Sequence, residues 1–373
     1  MEQNYFFPTD RIFGLDALRA SAIVMVLLGH LTWILPQQYT TVNILLGLLG
    51  FLGVEIFFVL SGFLIGKILF RQFTDGAFTS KSVRSFLKRR WFRTLPNYFL
   101  ILCVNIGIAL GVIGYDIQSL WRYFFFVQNF NSQMPVFFPE SWSLSVEEFA
   151  YVLLPIVLLL AVFVFRKAEK SKLFFGVIVF VFAIFISTKI YYTLTTGYNS
   201  LAEWNLYLKG VVVYRVDAIV TGVVCSWLAL NKTEFWYKTR WLAAFSGICF
   251  GTFLIFGASF FGVTVDKHHF FWNVFFLPML SVSIAAMLPL FSAWKSRPYG
   301  IGKPFTFISV ISYSMYLLHY GVVMQLLHAF FLPHFGWHLT AVLYLGLTVL
   351  MSALLYRYFE KPITDLSETH RKR

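Results

Sequence analysis

The chain has 373 residues, 58% of them hydrophobic and only 13% charged, with a mean hydropathy of +0.72. Soluble domains are closer to a quarter charged, so this composition excludes a water-soluble fold and calls for lipid as the solvent. A formal net charge of +13 would suggest nucleic acid in a soluble protein; here it reads as basic cytoplasmic loops, and no nucleic-acid partner is expected.

A helix needs about 20 apolar residues to cross a bilayer. Such runs fall near 12–35, 42–70, 94–114, 144–165, 172–192, 210–230, 241–261, 270–290, 304–330 and 338–358. They predict an all-α membrane protein with about ten transmembrane helices in a single bundle. The first run is longer than a signal-peptide core and lacks a small-residue cleavage site, so it is expected to remain as a helix. The segment 119–130 is too short to span. Its Trp121 and Tyr123 suit an interfacial helix on the outer side.

Lys and Arg set the expected orientation. The loop after the second span holds Lys67, Arg71, Lys81, Arg84, Lys88, Arg89, Arg90 and Arg93. The next even loops hold Arg166, Lys167, Lys170 and Lys172, then Lys232, Lys238 and Arg240, then Lys295, Arg297 and Lys303. The C-terminal end holds Arg357, Lys361, Arg371, Lys372 and Arg373, whereas the odd loops hold only Arg122, Lys189, Lys209 and Lys267. This alternation predicts that both termini are cytoplasmic. Cys103, Cys225 and Cys249 sit in apolar runs and offer neither metal spacing nor a disulfide framework. His334 and His338 have i, i+4 spacing near His328, but no third ligand accompanies them, and no metal is expected.

Ionisable residues inside a span cost several kcal/mol and are functional candidates. The first span holds Asp16, Arg19 and His30. Arg19 and His30 are about three helical turns and roughly 16 Å apart on one face. The second holds Glu55, and Glu147 and Glu148 lie at the outer end of the fourth, at about the expected depth of His30. The sixth holds Arg215 and Asp217, and the ninth Tyr316 and His319. Structural ion pairs, Arg215 with Asp217 for instance, are the plain alternative for these charges. The set as a whole implies a water-filled or substrate-filled cavity. A histidine near a carboxylate at the outer end of such a cavity suits general base catalysis, the carboxylate holding the imidazole tautomer. KRRWFR at 88–93 is either a topology anchor or a phosphate clamp, since Arg binds phosphate in bidentate fashion.

Several fragments in order resemble the acyltransferase family 3 membrane proteins, which include O-antigen O-acetyltransferases. GLDALRASAIVMVLLGH at 14–30 resembles the family's first helix and GVEIFFVLSGFLI at 53–65 its second. RRWFRTLP resembles the Arg-x-x-Arg motif, here Arg90 and Arg93 before Pro96. SWSLSVEEFAYVLLP, YRVDAIVTG, ISYSMYLLH and YFEKP resemble the later motifs. The family usually reads Glu-Glu-Gln-Phe-Tyr where this chain has Glu147-Glu148-Phe149-Ala150-Tyr151. The Glu pair and Tyr151 are in place; their surroundings differ.

The resemblance implies a single membrane acyltransferase domain over 1–373 in a bacterial cytoplasmic membrane. It would move an acyl group, acetyl by preference, from cytoplasmic acyl-CoA to a hydroxyl of a cell-envelope glycan such as O-antigen, capsule or exopolysaccharide. Arg90 and Arg93 would clamp the CoA phosphates, Arg19 would contact the donor along its path, His30 would deprotonate the acceptor hydroxyl, and Glu147 would orient His30. Asp16, Glu55, Glu148, Tyr151, Arg215, Asp217 and His319 would support the site. Ser61 and Tyr316 are loose candidates for donors to the oxyanion. Direct transfer is the preferred route, because no Ser or Cys shows a persuasive base beside it in sequence, and passage of the acyl group through an enzyme nucleophile is the open alternative. No bound cofactor is expected, acyl-CoA being a cosubstrate. The chain ends soon after the tenth span, so no appended periplasmic hydrolase-like domain is expected, and its step would be absent or supplied by a separate partner protein. The rival readings are a glycan exporter or flippase without chemistry, and an acyltransferase acting on a lipid or small molecule.

Overall fold

A computed structural model describes residues 11–114, 117–134, 136–196 and 200–369. The terminal Arg371, Lys372 and Arg373 lie outside them. Nine helices among the described residues are long and apolar enough to cross a membrane. They are α1 (Phe13–Trp33), α2 (Thr40–Thr74), α3 (Ser80–Ile113), α4 (Ser141–Val164), α5 (Lys170–Thr195), α7 (Arg240–Gly257), α8 (Phe271–Ala293), α9 (Gly302–Phe330) and α10 (Leu332–Leu366). A shorter apolar helix, α6 (Val216–Asn231), occupies the place of the sixth expected span. The ten apolar runs read from hydropathy thus each form a helix, and no strand occurs among the described residues.

Two local expectations are corrected. The basic run 88–93 is not in a loop, because α3 begins at Ser80. Thr79 and Ser82 form a reciprocal cap there, and Lys and Arg are good helix formers, so nothing interrupts the helix before the membrane. The segment 119–130 is not an interfacial helix over its length. Only Trp121–Phe124 is helical, and Phe126 then takes φ 57°, a left-handed conformation that a helix cannot continue.

The centre of the bundle is α2, packed on one side by α1 and on the other by α6, with α9 closing over α1. Small residues set the spacing. A β-carbon at Gly62 would run into the Ile219 carbonyl oxygen, and one at Gly222 into that of Val59. In lipid, close backbone approach of this kind is a main source of helix adhesion. Gly29 and Gly50 play the same part between α1 and α2.

This close packing buries four charges together. Arg215 pairs with Glu55 of α2, both side chains fully buried. Lys189 of α5 pairs with Asp217 at 2.6 Å, again with no exposure. The alternative of structural ion pairs therefore holds for these charges, but with other partners than the Arg215–Asp217 example. Residues two apart on a helix point to different faces, so each finds a partner on another helix. Lys189 is likewise no outer-loop charge; it lies inside α5.

Candidate functional site

A cavity of about 540 Å³ lies among α1, α2, α3, α4, α9 and α10, within the range of small-molecule sites. Its rim is at the end of the bundle where α1 begins, and carries the exposed residues Ile68 and Arg93. Its lining includes five cations, Arg11, Arg19, Lys67, Arg90 and Arg93, against three carboxylates, Asp16, Glu147 and Glu360. The excess of positive charge suits an anionic ligand.

The carboxylates are held in place. Asp16 accepts from Arg11 Nε at 2.9 Å and from Ser309 Oγ at 2.9 Å, and Arg19 stands 4.0 Å from it, one turn along α1. Glu360 accepts from Ser314 Oγ at 2.6 Å and Asn97 Nδ2 at 2.8 Å. Glu147 accepts from the Tyr151 hydroxyl at 2.6 Å, and Ser61 Oγ is hydrogen-bonded to the same hydroxyl. Arg90 lies over the Tyr151 ring at 4.4 Å, where a cation is attracted to the ring face. Glu148, behind the lining, accepts from Thr94 Oγ1 at 2.9 Å.

The inner end of the cavity is closed by Tyr316, whose hydroxyl lies 2.6 Å from Ser143 Oγ. The Tyr316 hydroxyl donates to the Glu140 carbonyl at 3.1 Å. Ser143 Oγ reaches the same Glu140 carbonyl at 3.4 Å, so the two hydroxyls and that carbonyl form one hydrogen-bonded cluster. Phe57 packs edge-on against the Tyr316 ring at 6.1 Å.

Beyond Tyr316 lie two histidines. The ring centroids of His30 and His319 are 4.7 Å apart, and that of His319 is 5.5 Å from Tyr316. His30 Nδ1 donates to the Val26 carbonyl at 2.9 Å and His319 Nδ1 to the Tyr316 carbonyl at 2.7 Å. A carbonyl can only accept, so Nδ1 carries a proton in each ring, and in the neutral imidazole Nε2 presents a lone pair. His319 is fully buried and its Nε2 has no hydrogen-bond partner. His30 is half-buried. Nearby, Glu140 caps the approach of α4 and accepts the Gly321 N–H at 2.8 Å. That N–H is presented where α9 widens into a looser turn over His319–Met324.

The structure thus divides the sequence candidates. Asp16, Arg19, Ser61, Arg90, Arg93, Glu147, Tyr151 and Tyr316 share one cavity. His30 is not among its lining residues, and Glu147 does not orient it: the hydrogen bonds of Glu147 run to Tyr151, those of His30 to Val26. The reason is depth. α4 starts at Ser141, so Glu147 sits about 9 Å inward along it, level with Ser61 of α2 rather than with the end of α1. Glu55, Arg215 and Asp217 belong to the buried charge cluster and are also outside the lining. Two carboxylates went unnoticed in the sequence. Glu140 precedes an apolar run and Glu360 follows one, so neither registered as a charge within a span.

A family model for an acyltransferase domain matches residues 12–357. The O-acetyltransferase OatA of Staphylococcus aureus strain NCTC 8325 is 25% identical over 376 residues, covering 94% of this chain and 57% of that protein. A Staphylococcus aureus strain COL protein provisionally named an O-acetyltransferase is 25% identical over 374 residues, covering 94% of this chain and 56% of its own length. The chain thus spans little more than half the length of these curated relatives. No solved structure matches it. With the match running through nearly every helix described above, the chain belongs to the acyltransferase 3 family of membrane proteins.

Proposed function

We propose that the protein is a membrane O-acyltransferase. It takes an acyl group, acetyl in the simplest case, from acyl-CoA on the cytoplasmic side and delivers it to a hydroxyl of a cell-envelope glycan on the other side of a bacterial cytoplasmic membrane. The observation that carries this reading is the cationic cavity that opens where α1 begins and stops at Tyr316, one ring contact short of the histidine pair. A CoA headgroup brings several phosphate charges. Arg90 and Arg93 at the cavity mouth have the fork geometry to hold them, and Arg19 stands deeper, where the thioester end would lie.

On the far side His30 is the general base for the acceptor hydroxyl, because its tautomer leaves Nε2 free to take a proton. His319 is the neighbouring imidazole through which that proton can be shared. For donor and acceptor to react, the Tyr316–Ser143 contact between the two sites must part during the cycle.

Mass spectrometry of envelope glycans from cells with and without the gene tests the reading. It predicts a mass difference of one acyl group per modified unit. Identical glycans, in cells that make the protein, would contradict it. A transporter would change the amount or location of a glycan and leave its mass alone, and purified protein would leave acetyl-CoA intact.

A further inference from the structure

Ser61, half-buried on α2, faces the cationic cavity. Its Oγ is hydrogen-bonded to the Tyr151 hydroxyl, and that hydroxyl donates its single proton to Glu147 at 2.6 Å. With that proton spent, Ser61 must be the donor in the remaining contact. The three groups therefore form a relay running from Ser61 through Tyr151 to Glu147, aligned to draw a proton off Ser61. A serine with a base arranged in this way is an activated nucleophile. A bare tie between α2 and α4 would satisfy the same bonds. It would not account for the relay opening onto a cavity whose lining also holds Arg19, Arg90 and Arg93. Arg90, over the Tyr151 ring at 4.4 Å, adds positive charge where negative charge would develop.

The position of His30 adds a second argument. It stands beyond Tyr316, off the cavity. Direct attack at His30 would require the thioester, with CoA attached, to be drawn past Tyr316 and Ser143. An acyl group moved first onto the protein would leave CoA behind.

We propose that Ser61 accepts the acyl group as an oxygen ester before it reaches the acceptor, an inference that rests on the acyl-CoA reading above. Ser61 Oγ bonds to the thioester carbonyl carbon and the carbon–sulfur bond breaks. The Ser61 proton passes to Tyr151 as Tyr151 passes its own to Glu147. CoA leaves as thiolate and takes a proton from water. When the Tyr316–Ser143 contact opens, the acceptor hydroxyl attacks the Ser61 ester. His30 takes the acceptor's proton and releases it to water, while Glu147 returns its proton through Tyr151 to the departing Ser61 oxygen.

The test uses the full chain, purified in detergent, and [14C]acetyl-CoA without acceptor. After denaturation and peptide mapping, label approaching one acetyl per chain is expected on the peptide containing Ser61. It should resist neutral hydroxylamine, which separates an oxygen ester from a thioester on the exposed Cys103 or Cys249. Ser61→Ala should lose the label while still binding acetyl-CoA by calorimetry. Ser61→Cys should carry it in hydroxylamine-sensitive form, and Tyr151→Phe should label roughly 100-fold more slowly, the scale of general base catalysis. A wild-type chain that binds acetyl-CoA but gains no label on Ser61, or a Ser61→Ala chain labelled as fully as wild type, would overturn the acyl-enzyme and leave direct transfer. A wild-type chain that does not bind acetyl-CoA would overturn the donor reading and this inference with it.

Discussion

The hydroxyls of Tyr316 and Ser143, 2.6 Å apart, join α9 to α4 at the inner end of the arginine-lined cavity. On one side of them are Arg19, Ser61 and Glu147; on the other is His319, with His30 against it. This contact separates the arginine-lined cavity, where the proposed function puts the donor, from the histidine pair. A transferase working across a membrane needs such a separation, because water reaching a bound thioester would hydrolyse it.

Removing the barrier should uncouple the protein. Tyr316→Ala is expected to raise acetyl-CoA hydrolysis without acceptor several-fold over wild type, measured as acetate released by purified protein. An unchanged hydrolysis rate would show that Tyr316 excludes no water.

Arg90 and Arg93 are predicted to hold the donor, so their loss should weaken acyl-CoA binding more than acceptor binding. Each charge-assisted hydrogen bond is worth about 1.5–3 kcal/mol, so Arg90→Ala with Arg93→Ala should weaken acetyl-CoA binding by roughly 100-fold or more. Binding to wild type should also fall with added salt, as interactions between exposed charges do. Calorimetry at two ionic strengths reads both effects.

Lys189 and Asp217 carry stability. Lys189→Met leaves Asp217 buried and unpaired, a change that costs about 3–5 kcal/mol. Lys189→Met combined with Asp217→Leu should recover most of that loss. Thermal unfolding in detergent, compared across the two single variants and the double, gives the coupling directly.

The α2–α6 contact allows almost no added volume. Gly222→Val would drive a side chain into the Val59 carbonyl and force the helices apart. Overpacking costs about 1–3 kcal/mol or more, and here it would also displace Arg215 from Glu55. Lower yield and a lower unfolding temperature are expected, with Gly107→Ala, where nothing lies close, as the control.

Much of this arrangement was legible before any coordinates. Lipid solvation demands long apolar helices, so all ten could be located from hydropathy alone. The cost of burying charge marked Arg19, Glu147, Arg215 and His319 as candidates, and the structure buries Arg215 in an ion pair and brings Arg19 and Glu147 to one cavity. What could not be read was the partner of each. Arg215 and Asp217 are neighbours in sequence but pair with different helices, since a two-residue step turns to another helix face; their partners, Glu55 and Lys189, are set by how α2 and α5 pack on α6. Depth was equally hidden. Glu147 and His30 had similar expected heights, but the start of α4 at Ser141 carries Glu147 to Ser61. Glu140 and Glu360 escaped because they sit just outside apolar runs and are buried only by the packing of neighbouring helices.

The most direct test of transfer across the bilayer is a sealed-vesicle assay. Membrane vesicles containing the protein and oriented with their cytoplasmic face outward are given [14C]acetyl-CoA outside, with envelope glycan on the lumenal side, and label in the glycan is followed. Transfer into the glycan is predicted for wild type, with a loss of at least about 100-fold for His30→Ala although that variant inserts normally. Equal glycan labelling by His30→Ala and wild type, or no label in the glycan with either, would contradict the account.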